Sequence, residues 1–132
     1  MSLHIYIDTV PHSTQRYPTV GDYFDVQTSS MKVPVSNVRI SDMGNSDYEF
    51  LVAIHELVEM YLCKKRGISE ESITAFDTDF EAKRQPGNVD EPGNDPAAPY
   101  YEEHKFATII EKALAVELKV DWDEYDKTVN AL

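Results

Sequence analysis

From Leu3 to Asp8 the side chains alternate, with Leu3, Ile5 and Ile7 on one side and His4, Tyr6 and Asp8 on the other. That two-residue period predicts a half-buried strand. After a polar connection from Pro11 to Pro18 and the turn signal Gly21-Asp22, Tyr23 to Val26 forms a second short strand candidate. A third lies from Val33 to Ile40, apolar at Val33, Val35, Val38 and Ile40, with Pro34 suiting an edge rather than a central position. Two to four strands thus precede the first helix, and one small antiparallel sheet is the expected arrangement.

The rhythm then changes. Residues 50 to 63 carry neither Gly nor Pro, and only His55, Glu56 and Glu59 among them ionise near neutral pH. A helix that is apolar on nearly every side belongs in a core. Gly44-Asn45 centres the preceding turn, Ser46 or Asp47 is placed to cap the helix, and Lys64, Lys65, Arg66 and Gly67 suit its carboxyl end. Ser69 to Glu81 is a second, acidic helical stretch with Ile73, Phe76 and Phe80 at core spacing, and Asp77 and Asp79 between them read as an acidic turn. Four of the seven prolines fall between Lys83 and Pro99, where Pro-Gly-Asn occurs twice. That composition predicts a long loop, a candidate lid. Tyr100 to Leu118 is the second long helix, with Phe106, Ile109, Ile110, Ala113 and Leu114 as its apolar stripe, and Asp121 caps a short terminal helix to about Val129. The chain therefore reads as one α+β domain over residues 1–132: a strand-rich part (1–40), a buried helix (47–66), a Pro/Gly-rich loop (83–99) and C-terminal helices (100–129).

Burying two carboxylates and an imidazole in an apolar helix is costly unless something pairs with them. Residues four apart share a helix face, so His55 and Glu59 converge, while Glu56 points to the side of that spot, where it can hold a water. A divalent ion satisfies all three. His104 is the expected third ligand: it opens a helix and shares a face with Ala107, Thr108, Glu111 and Ala115, whose small members permit close approach. Glu111 is expected to orient His104 or to replace it, and Asp77 is a further ligand candidate. Two imidazoles and a carboxylate with an open position suit Zn2+, with Fe2+ or Mn2+ as alternatives. Cys63 lies on the far side of the helix and reads as an inert buried thiol.

Composition narrows the partners. A formal net charge of −12 disfavours nucleic acid and anionic membranes alike. One cysteine precludes an internal disulfide and fits a reducing compartment. Met1 to Val10 lacks the continuous apolar run of a signal peptide, and no stretch is long enough to span a bilayer, so the expected location is cytoplasmic.

His55-Glu56-Leu57-Val58-Glu59, followed by Pro99-Tyr100-Tyr101-Glu102-Glu103-His104-Lys105-Phe106-Ala107, resembles small bacteriophage and prophage proteins from the main helix to the carboxyl terminus. That resemblance implies no settled activity. The first five residues also resemble the helix of zincin metallopeptidases, with Glu59 where those have a second His. This likeness implies a ligand role for His55, a general-base role for Glu56 and the second ligand's place for Glu59. The resulting expectation is a zincin-like metal-dependent peptidase or amidase, taking an extended substrate along residues 33 to 40 by strand addition. Two rival expectations are a phage-type accessory protein whose ion is structural, and a metal-free domain whose acidic surface meets a basic partner.

Overall fold

The computed structural model describes residues 3–132 and is α+β, with three strands and four α-helices. Strands β1 (Ile5–Val10), β2 (Gly21–Val26) and β3 (Val35–Ser41) form one sheet in the order β1-β3-β2. β1 runs parallel to β3 and β2 antiparallel to it, so the sheet is mixed rather than wholly antiparallel. The reason is topological: the chain reverses once before β2 and again before β3, and β3 slots between the two earlier strands. Val38 and Ile40, almost fully buried, make it the natural centre. Pro34 stands just before the strand and removes no ladder bond, so the edge position that it suggested is not adopted. With both edges of β3 paired, residues 33 to 40 cannot accept a substrate strand.

Helix α1 (Ser46–Lys65) packs across β3 and β2. Asn45, rather than Ser46 or Asp47, is its cap: its backbone is extended and its side chain accepts a bond from the Tyr48 N–H at 3.1 Å. At the other end Gly67 adopts φ +71°, which lets the Ile68 N–H reach back to the Cys63 carbonyl at 2.9 Å. Leu51, Met60 and Cys63 fill the core, and burial pushes the Cys63 thiol up to about 12, as expected of an inert residue. Helix α2 (Glu70–Ala82) is capped by Ser69 and buries Ile73 and Asp77, so Asp77 sits within a helix and not in a turn.

Residues 83–99 form the expected loop, and it is folded. Arg84 pairs with Glu81 and donates to the carbonyls of Asn88 at 2.6 Å and Asp90 at 2.8 Å, while Pro92–Asn94 makes one 3-10 turn. Helix α3 (Tyr101–Glu117) then lies against α1, and α4 (Trp122–Asn130) closes the chain with Asp121 as its cap. The apolar stripe expected on α3 is largely turned outward, with Phe106 47% and Ile109 56% exposed. The buried face is instead His104, Ala107, Glu111 and Ala115, because small residues let the two helices approach closely around a polar cluster.

Candidate metal centre

One turn of α1 places His55 and Glu59 on the same face, and α3 lays His104 against them. The three side chains are buried, and one ligand atom from each meets the other two. Glu59 Oε2 lies 3.1 Å from His55 Nε2 and 2.8 Å from His104 Nδ1, and the two ring nitrogens are 3.1 Å apart. Ligand atoms bound tetrahedrally at 2.0–2.1 Å would stand about 3.3 Å from one another, so a small outward shift would seat an ion.

The remote ring nitrogens are also engaged. His55 Nδ1 is 2.7 Å from Glu111 Oε1, and the other Glu111 oxygen accepts a bond from the Tyr125 hydroxyl at 2.5 Å. His104 Nε2 lies 2.9 Å from Glu91 Oε2, close enough for an ion pair though out of line for a hydrogen bond. Carboxylates at these positions favour the N–H on the remote nitrogens, which leaves lone pairs on His55 Nε2 and His104 Nδ1 pointing at Glu59. Three acceptors then face each other out of water. Such a cluster requires protons or a cation at its centre.

Its electrostatics follow from this. Burial opposes charge on every member. The bonds from Glu111 and Glu59 nevertheless raise His55 well above the usual imidazole range, and Glu59 and Glu91 likewise raise His104. The two imidazoles in turn hold Glu59 below the usual carboxylate range, and its second oxygen accepts from Tyr23 Oη at 2.8 Å.

Glu56 lies beside this cluster, half-buried, and makes no hydrogen bond among the described residues. Burial, and then the charge of Glu59, push its carboxyl well above the ordinary range. Gly21 at the start of β2 makes room for it: a Cβ there would stand 2.7 Å from both Cγ and Oε1 of Glu56. Glu56 and the three cluster residues line one cavity of about 420 Å³, which also reaches Tyr17, Asp77 and Tyr100.

His55 and Glu59 therefore converge as their i, i+4 spacing predicted, and His104 meets them as the small residues on its helix face led one to expect, whereas the other two ligand candidates do not join them. Glu111 orients His55 and not His104, since it lies two helical turns beyond His104 and reaches the far nitrogen of the facing residue. Asp77 is occupied elsewhere, accepting bonds from the hydroxyls of Tyr17 at 2.9 Å and Tyr100, while burial raises its carboxyl to about 6.

The sequence reading missed Glu91, Gly93, Tyr23 and Tyr125. Gly93 carries the clearest signal in retrospect: a Cβ there would stand 2.4 Å from Cγ of His104, so the second Pro-Gly-Asn triplet marks a close approach to the imidazole and not only a turn. Glu91 directly precedes it. No helix among the described residues is long and apolar enough to cross a membrane. Compared with protein-family models, curated proteins and solved structures, the chain matches none.

Proposed function

We propose that this protein binds one divalent ion, Zn2+ in the first instance with Fe2+ or Mn2+ as the competing choices, through His55 Nε2, Glu59 Oε2 and His104 Nδ1, and uses it to hydrolyse a peptide or amide bond. The observation that carries the reading is the pairing of each imidazole, through its remote nitrogen, with a carboxylate, which turns three lone pairs toward one point. Neutral imidazoles backed by carboxylates are the usual second coordination layer of metal-ligating histidines.

Three protein ligands would leave a position for water, and an ion held there would supply Lewis acidity that lowers the water's pKa. Glu56 lines the same cavity and has no competing partner among the described residues, which suits it to take the proton as the water oxygen attacks the substrate carbonyl carbon. The same carboxyl then returns the proton to the departing nitrogen. In this arrangement α1 performs the part of a zincin helix with Glu59 as its second ligand, and the substrate enters the cavity instead of pairing with β3. The phage-type resemblance is compatible with this chemistry and adds no substrate.

Elemental analysis of the untreated protein should find about one ion per chain, and His104→Ala should lose it. Glu56→Gln should keep the ion while hydrolysis of amide or peptide substrates falls by about 10²–10⁴-fold. Loss of the ion in Glu56→Gln would remove Glu56 from the general-base role.

A structural ion is the second reading, favoured by the burial of all three ligands and by their division between α1 and α3. It predicts a metal-dependent melting temperature with no hydrolysis for Glu56→Gln to abolish.

A further inference from the structure

Among the described residues both outer edges of the sheet, β1 and β2, lack a partner strand, yet only one of them is open. On β2, Gly21, Asp22 and Tyr23 are buried, and the Asp25 N–H is taken by Glu70 Oε2 at 3.2 Å. β1 is different. Its interior residues Tyr6 to Thr9 are all exposed, with Tyr6 at 61% and Ile7 at 48%, and Leu3 just before it is 56% exposed. Its register with β3 is unbroken, so no bulge twists it away, and it holds neither Pro nor Lys. Such devices ordinarily blunt an exposed edge.

The outward groups of β1 follow from the ladder. The carbonyls of His4 and Val10 accept from the N–H groups of Ser36 and Asp42, so the even-numbered residues turn their main chain toward β3. Ile5, Ile7 and Thr9 therefore present N–H and C=O groups outward.

We propose that this edge pairs with the β1 edge of a second copy of the chain, antiparallel, with Tyr6 on the two-fold axis, to give a continuous six-stranded sheet. The choice of partner and register rests on side-chain complementarity, an imidazole N–H donor opposite a carboxylate acceptor. Placing Tyr6 opposite itself sets His4 against Asp8 of the second copy and Asp8 against His4, both exposed residues. It also sets Ile5 against Ile7 on the other face and makes them the hydrogen-bonded pairs, as their outward main-chain groups require. Moving the axis to Asp8 would place two carboxylates directly opposite each other. Moving it to Ile7 would leave His4 against Val10. The interface is isologous, closes on itself and leaves no second open β1 edge.

The test is sedimentation of the full chain from micromolar to several hundred micromolar, with three variants. The wild type should show a monomer–dimer equilibrium. Ile7→Pro should be monomeric with an unchanged circular dichroism spectrum, because the lost N–H points away from β3. His4→Asp should weaken the dimer about tenfold, and adding Asp8→His should restore it. Tyr6→Cys should form a covalent dimer under mild oxidation, since position 6 faces itself in a non-hydrogen-bonded pair. A chain that stays monomeric throughout would overturn the proposal. So would a dimer indifferent to His4→Asp, or one in which Tyr6→Cys does not cross-link.

Discussion

His104 shows how closely a single residue is held. One ring nitrogen joins the cluster, the other faces Glu91, and Gly93 lies against the ring with no room for a methyl group. Gly93→Ala should therefore displace the imidazole and not unfold the chain, since it changes a loop residue outside every α-helix. Its metal affinity should fall by about 10–100-fold, as losses around a ligand usually do. Competition with a chromophoric chelator measures that fall, and an unchanged far-ultraviolet spectrum separates it from unfolding. Glu91→Gln should act in the same direction and more weakly, because its side chain is half exposed and its contact with Nε2 is misaligned.

Among the elements, α2 is tied to its surroundings through Asp77, which accepts hydroxyl bonds from Tyr17, in the segment before β2, and from Tyr100, just ahead of α3. Burial raises this carboxyl from 3.8 to about 6, with the two tyrosine bonds opposing the shift only in part. The native state thus holds the proton more tightly than the unfolded chain, and the stability carried by neutral Asp77 is lost as pH rises from about 4 to about 6. Tyr17 and Tyr100 bind different oxygens of Asp77, so Asp77→Asn keeps an acceptor for one hydroxyl, offers an N–H for the other to accept, and has no proton to lose. Chemical denaturation should find the variant more stable than wild type by on the order of 2 kcal/mol at pH 7, with the gap closing near pH 4. A gap that widened toward pH 4 would mean that Asp77 is stabilised as an anion.

Across the whole molecule, the packing of α3 on α1 has an acidic and imidazole cluster where a core would ordinarily be apolar. Filling that cluster with an ion joins two helices that are far apart in sequence, and an ion bound to the folded state alone stabilises it by mass action. Treatment with a strong chelator should lower the melting temperature by several degrees, and restoring Zn2+ should return it. His55→Ala should melt below wild type and no longer respond to added metal. A chelator-insensitive transition would place any ion outside the fold's support.

Local patterns determined a good deal. Alternation located β1, a turn signal and a β-branched apolar stretch located β2 and β3, an unbroken apolar run located α1, and the i, i+4 spacing on that helix fixed His55 and Glu59 as neighbours, because helical geometry needs no tertiary information. The small residues on the His104 face of α3 likewise announced a close helix contact. What remained was non-local. Strand order could not be read because the side-chain period is the same in a central strand and at an edge, so the central place of β3 emerged only when both neighbours paired with it. The outward turn of Phe106 and Ile109 broke the usual rule that the apolar face is buried, since the cluster drew the polar face inward. Glu111 found His55 and Glu91 found His104 across 56 and 13 residues of chain, and partnerships of that kind are made by folding distance, which no spacing along the sequence encodes.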